Sequence, residues 1–223
     1  KVLAMDETPI KAGKSKKKKG RMHQGYYWPL YGDQDEIVFT YADSRARRVI
    51  EQLLDKEFTG TLLSDGYKAY ASYAAKTDGV VHAQCWVHTR RQFFEARDSE
   101  PAAVDQILKK IGLLYKHEEA IRERALEGEA KRDYRLLHSK PVVDGIFEWL
   151  VEQKQAMALL PSDPFTKALN YLDDRAIALR VFLENPDVQM DTNHLERGLR
   201  PIPMGRKSWL FCWTELGAEQ VGI

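Results

Sequence analysis

Three carboxylates hold positions from which a chain could gather divalent metal: Asp6 closes one apolar run, Asp65 closes another, and Glu196 lies on a late helical segment. Hard cations such as Mg²⁺ take oxygen donors, usually one or two carboxylates completed by water and substrate phosphate. Two such ions about 3.5–4 Å apart can activate an attacking hydroxyl and stabilise the leaving oxygen of a phosphodiester. Residue type fits that chemistry, but spacing alone does not single it out. The chain has 33 acidic residues. Asp before Gly66 is an ordinary turn residue, and Glu196, three residues after Asn193, also suits a capping box.

The elements that must position these groups are legible in outline. Residues 1–6 read as a short apolar strand ending in Asp6. A basic run, Lys14 to Arg21 between Gly13 and Gly20, reads as a hairpin tip. Segments 25–32 and 36–42 are β-rich, and the Gly32-Asp33-Gln34-Asp35 turn between them marks a hairpin. Three strands in succession predict an antiparallel meander. From Ser44, a candidate N-cap, apolar residues recur at helical spacing through Leu54. Gly60 to Asp65 reads as a buried strand, Gly66 turns the chain into a helix near 67–75, and Val80 to Cys85 reads as a further strand leading into a helix with Arg90 and Arg91. Carboxylates at the ends of neighbouring strands converge where those strands stop together.

From about 99 to 184 the pattern is helical, with amphipathic stripes and prolines at 101, 141 and 164 placed to begin helices. Asp191 to Arg200 reads as a last helix closed by Pro201 and Pro203, with Gly205-Arg206-Lys207 in a loop beyond. The 34 basic and 33 acidic residues leave a net charge of +1, so only local clustering could announce a nucleic-acid partner. Cys85 and Cys212 match no disulfide framework, and no apolar run is long enough to span a membrane. A cytoplasmic protein is the expectation. Lys1 in place of Met, with a strand-like segment directly after it, reads as a fragment that continues upstream.

Four blocks, VLAMDET (2–8), LLSDGYKAY (62–70), HAQCWVHTRRQF (82–93) and DTNHLERGLRPIPMGRKSWLF (191–211), resemble the insertion-sequence-66 family of bacterial DDE transposases in content and order. The likeness covers essentially the whole chain. It implies an α/β, ribonuclease-H-like fold: a mixed sheet of three antiparallel strands followed by parallel strands, flanked by helices, with an all-helical insertion before the last core helix. Residues 1–98 would form the first part of the core, 99–184 the insertion, and 185–223 the last core helix with the GRK segment. The resemblance also implies that Asp6, Asp65 and Glu196 are the catalytic DDE triad, binding two Mg²⁺ or Mn²⁺ ions. The partner would be double-stranded DNA, at element ends and target, in a homodimer or larger synaptic complex associated with the nucleoid.

Several other residues are candidates for DNA contact. His82, Cys85 and His88 fall at three-residue spacing, but a structural zinc needs four ligands and no second pair is evident. By resemblance, His88 of the CxxH block lies near the active site. Asn193, Glu196, Arg197 and Arg200 share one helical face, which would set Arg200 beside the substrate backbone. Arg206 and Lys207 suit phosphate contact, as do Arg90 and Arg91 on their helix. Lys16, Lys17 and Lys18 could clamp DNA through counterion release. Tyr26, Tyr27 and Trp28 alternate faces in a strand, so at least one belongs to the core. Two rival functions stand beside transposition: a ribonuclease-H-like nuclease that cleaves without joining, and a catalytically silent DNA-binding remnant.

Overall fold

The computed structural model describes residues 1–15, 19–32, 36–54, 58–156, 160–209 and 211–221, without the side chains of Glu196, Pro203, Arg206, Ser208 and Trp209. The chain is mixed α/β and divides into two compact units, Lys1–His82 with Thr192–Ile223, and Ala83–Asp191.

The first unit is built on a mixed sheet whose strands are β1 (Val2–Met5), β2 (Thr8–Lys14), β3 (Met22–Tyr31), β4 (Ile37–Ala42), β5 (Gly60–Ser64) and β6 (Val80–Gln84), the last running across the unit boundary. The order is β2-β3-β1-β5-β6, with β4 on β3 as well. β3 is antiparallel to β1, β2 and β4, whereas β1 and β5 are parallel. β1 reads VLAM without a polar residue, as a strand flanked on both edges should. The expected meander is present, with one more strand than the sequence reading placed: Thr8–Lys14 pairs with β3.

Tyr27 and Trp28, being consecutive on β3, point to opposite faces, and both are fully buried. Trp28 packs with Met5, Leu62 and Tyr70 and with Val49 and Ile50, which belong to helix α1 (Arg47–Leu53); Tyr70 and Tyr73 come from helix α2 (Lys68–Ala74). Ser44 does not cap α1; its hydroxyl accepts the Ala46 N–H at 3.1 Å, and Ala46 stands at the cap position.

The second unit is helical: α3 (Trp86–Glu95), α4 (Pro101–Glu123), α5 (Gly128–Tyr134), α6 (Lys140–Ala156), α7 (Pro164–Asp173) and α8 (Val181–Glu184). Phe93, Trp149 and Phe165 meet edge to face, with centroids 5.9–6.2 Å apart, around a core that includes Val104, Ile107, Ile111 and Val143. Asp163 caps α7, accepting the N–H groups of Phe165 and Thr166. Pro141 does not begin a helix as its position suggests. A π-helical stretch, Arg135–Ser139, carries α5 into α6, and the Lys140 N–H donates to the Arg135 carbonyl five residues back. A proline inside a helix has no N–H for the carbonyl four residues earlier and crowds it; a widened turn just ahead relieves that conflict.

The chain then returns to the first unit as α9 (Asn193–Leu199), α10 (Pro201–Trp209) and α11 (Glu215–Val221). Here too the prolines behave differently from expectation. Pro201 and Pro203 open α10 instead of closing the chain into a loop, because the first-turn N–H groups they lack have no helical acceptor anyway. Gly205-Arg206-Lys207 is therefore helical. Ile202 and Ala218 cover Tyr27 on its own face of the sheet, and the Tyr27 hydroxyl donates to the Ala218 carbonyl at 2.7 Å. The sheet is thus layered on both faces. Among the described residues no helix is long and apolar enough to cross a membrane.

Candidate active site

β1 and β5 run parallel with Val2 beside Thr61, Leu3 beside Leu62 and Ala4 beside Leu63. Two steps further along that register, Asp6 falls beside Asp65, each just past its strand. Neighbouring strands are about 4.8 Å apart, so the two aspartates share the carboxyl end of the sheet, where open α/β folds place ligands.

Asp6 falls in a break between two strands. Met5 pairs with Leu30 and Thr8 with Tyr27, so β1 and β2 follow one register along the same edge of β3. The gap between them is Asp6-Glu7, and the residue that this register sets opposite Asp6 is Pro29. Proline has no N–H to give to a ladder, and no pair is formed between β3 and Asp6 or Glu7. Asp6 Oδ1 then accepts the Glu7 N–H at 2.7 Å, and Asp65 Oδ1 accepts the Tyr67 N–H at 2.8 Å in an Asx turn. Beside them, Ser64 Oγ lies 2.9 Å from His82 Nε2.

Glu7 points the other way and is buried, its side chain only 1% exposed. Its Oε2 accepts from the Tyr70 hydroxyl at 2.5 Å, and its Oε1 pairs with Arg45. The Arg45 guanidinium lies 4.0 Å above the Tyr67 ring, and the Tyr67 hydroxyl donates to the Arg45 carbonyl at 2.7 Å. Burial pushes the Glu7 carboxyl up from the usual carboxylate range; the Tyr70 hydroxyl counters it, Asp65 adds to it, and Arg45 counters it. Burial, and then Glu7, push the Tyr70 phenol well up, with Asp6 and Asp65 adding to the effect. In this pair the Tyr70 hydroxyl is the donor and the Glu7 carboxylate the acceptor.

Glu196 is carried by α9, which docks on the same sheet. The His194 ring meets Tyr31 edge-on at 4.8 Å, and Gly198 sits so close to Ile37 that a Cβ there would lie 2.9 Å from its Cδ1. Tyr31 is the register partner of Ala4 on β1. The helix of Glu196 and the strand of Asp6 are thus neighbours of one strand, β3.

The family model for IS66 transposases matches residues 1–220. The chain belongs to the IS66 transposase family. It is similar to three proteins of Sinorhizobium fredii (strain NBRC 101917 / NGR234), each called uncharacterized. To y4hP it is 27% identical over 87% of this chain and 38% of the relative. To y4qI the identity is 30% over 82% and 34%, and to y4jD 26% over 84% and 37%. The chain thus spans little more than a third of the length of the curated relatives it matches.

In this IS66-family chain the other residues singled out by sequence lie as follows. Arg200 and Lys207 are exposed in the first unit. His88, Arg90 and Arg91 lie on α3 in the second unit, the two arginines exposed and His88 half-buried. Lys16, Lys17 and Lys18 lie outside the described residues, as do the side chains of Arg206 and Glu196. Among the described side chains no group of three or more His, Cys, Asp or Glu surrounds a common metal position. The sequence reading missed Glu7, Arg45, Tyr67 and Tyr70. The available signal was weak: a second acid directly after Asp6, and two tyrosines just after Asp65.

Proposed function

We propose that this chain is the catalytic part of a DDE transposase on a ribonuclease-H-like sheet, cutting DNA at element ends and joining the freed 3′-hydroxyl to target. One observation carries the reading: in a chain of a transposase family, the parallel β1–β5 register sets Asp6 beside Asp65 at the carboxyl ends of adjacent strands. The antiparallel strands before β5, and the helical unit between Asp65 and α9, support it further.

Asp6 and Asp65, with Glu196 from α9, would hold Mg²⁺ or Mn²⁺, two ions per site. The donors suit such ions, being carboxylate oxygens only, and a backbone N–H fixes Oδ1 of each aspartate. Bound there, the ions would supply activation of the attacking hydroxyl and neutralisation of charge on the leaving oxygen. The protein's own groups orient the DNA. Arg200, Lys207 and Arg206, with Arg90, Arg91, His88 and the lysines at 16–18, would contact phosphates of double-stranded DNA and release counterions. Water attacks in cleavage and the DNA 3′-hydroxyl in joining, so no covalent enzyme intermediate is required. Joining two ends implies a homodimer or larger complex, working at the nucleoid.

The test is metal-dependent nicking and joining of labelled element-end DNA by the protein and its Asp65→Asn variant. The expected result is both products from the wild type, and neither from the variant although it still binds DNA. Cleavage that survives in Asp65→Asn would overturn the site, and cleavage without joined product would favour a simple nuclease.

A further inference from the structure

Glu7 is an acid beside Asp6 and within electrostatic reach of Asp65, yet its geometry is not that of a metal ligand. Each carboxylate oxygen already has a partner, Arg45 on Oε1 and Tyr70 on Oε2. A cation approaching Glu7 would have to displace a guanidinium from a buried carboxylate, which is costly. What these bonds connect is more informative. The Glu7 N–H holds Asp6 Oδ1, and its carboxylate is gripped by Arg45 and Tyr70. Arg45 stacks on Tyr67, whose N–H holds Asp65 Oδ1. The bracket runs from one aspartate to the other through Glu7, Arg45 and Tyr67, with Tyr70 as the second partner of Glu7. Its members come from the β1–β2 break, the segment before α1 and the start of α2.

We propose that Glu7 is a positioning residue: gripped by Arg45 and Tyr70, it fixes the carboxylate orientations of Asp6 and Asp65 and thereby sets the affinity of their site for divalent metal. The inference rests on the reading of Asp6 and Asp65 as metal ligands. Its physical basis is the need of ligating carboxylates for partners that hold their orientation. Loss of such outer partners typically costs about 10–100-fold in metal affinity or activity. The bracket also explains an acid in the core. A buried carboxylate with two donors is satisfied, and the half-exposed Arg45 supplies the compensating charge.

The experiment compares wild type, Glu7→Gln, Tyr70→Phe and Asp65→Asn by Mn²⁺ titration calorimetry and by Mn²⁺-dependent nicking of element-end DNA. Glu7→Gln sets an amide against Arg45. Tyr70→Phe removes a single hydroxyl and keeps the ring on Trp28. Both are expected to raise the half-saturating Mn²⁺ concentration about 10–100-fold, with nicking restored at high Mn²⁺ and DNA affinity unchanged. A purely structural role would lower the active fraction and leave the metal dependence unmoved, which would overturn the proposal. Should Glu7→Gln fail to fold, Tyr70→Phe decides alone by the same criterion. Failure of the underlying reading looks different: Asp65→Asn would then bind Mn²⁺ and nick like wild type.

Discussion

Arg135 grips Glu118 with both ends of its guanidinium, Nε to Oε1 at 2.8 Å and Nη2 to Oε2 at 2.7 Å, and its side chain is wholly buried. The remaining nitrogen, Nη1, donates to the carbonyls of Phe182, Asn185 and Val188 at 2.7, 3.3 and 3.0 Å. One side chain on the π-helical turn therefore fastens α4 to the segment that leads out of the helical unit toward α9. Without Arg135, the Glu118 carboxylate and the carbonyls of Phe182, Asn185 and Val188 lose this shared donor together, although the Asn185 carbonyl also accepts the Val188 N–H at 3.2 Å. Breaking a buried ion pair by removing one partner costs about 3–5 kcal/mol. Arg135→Ala is expected to lose at least that much in urea unfolding. Arg135→Lys should recover little, since an ammonium cannot reproduce the planar fork. A midpoint close to wild type for either variant would refute the assignment.

Gly60 and Gly112 make a paired test of backbone conformation. Gly60 begins β5 at φ +142°, and a Cβ there would lie 2.3 Å from the Lys1 carbonyl oxygen, the acceptor of the Thr61 N–H. Only glycine occupies that region readily, at a cost of about 1–3 kcal/mol for other residues. Gly60→Ala should lower stability by at least that amount and expose the β5 amides to hydrogen exchange. Gly112, inside α4, has nothing within 4 Å of an added Cβ. Gly112→Ala should raise stability by about 0.5–1 kcal/mol. Equal effects of the two substitutions would contradict this account.

Much of the sheet around Asp6 and Asp65 was legible because each aspartate ends a short apolar run, which is a local signal. β2 was hidden: Ile10 and Ala12 alternate with Lys11, but Pro9, Gly13 and the lysine run speak for a turn. The prolines at 141, 201 and 203 misled because a proline's place in a helix depends on which N–H groups lack acceptors. For Pro141 that is set by a π-turn that the local sequence does not announce. Least legible was the Glu7 bracket. Its partners Arg45 and Tyr70 lie 38 and 63 residues away in sequence, and only the tertiary fold brings them together.

The helical unit should weaken in mild acid through His117. Its ring lies 5.9 Å from that of His138, and its Nδ1 lies 3.2 Å from the hydroxyl of Ser139. Burial, and then His138, hold its imidazole below the ordinary 6.5, while Glu118 pulls the other way. Because the folded ring resists the proton, the unfolded chain takes it up first as pH falls. The stability due to the neutral ring is complete above pH 6.5 and declines as pH falls from there through the lower folded value. Urea midpoints measured across this window should fall toward acid in wild type and fall less steeply in His117→Gln. Parallel profiles would show that His117 is not the group responsible.

Phosphate contacts should declare themselves through salt. Arg200 and Lys207 are exposed in the unit that holds Asp6 and Asp65, and Arg90 and Arg91 are exposed on α3. A basic side chain on a phosphate contributes through counterion release whatever the sequence, and its removal lowers the salt slope of binding by about one. Lys207→Ala and Arg200→Ala are each expected to weaken binding to element-end and unrelated DNA alike, with the slope of log K against log salt shallower by about one. The Arg90→Ala, Arg91→Ala double variant should lower the slope by about two if both residues touch the backbone. An unchanged slope with intact folding would place the residue in question off the DNA path. A loss confined to the element-end sequence would mean that it reads bases instead.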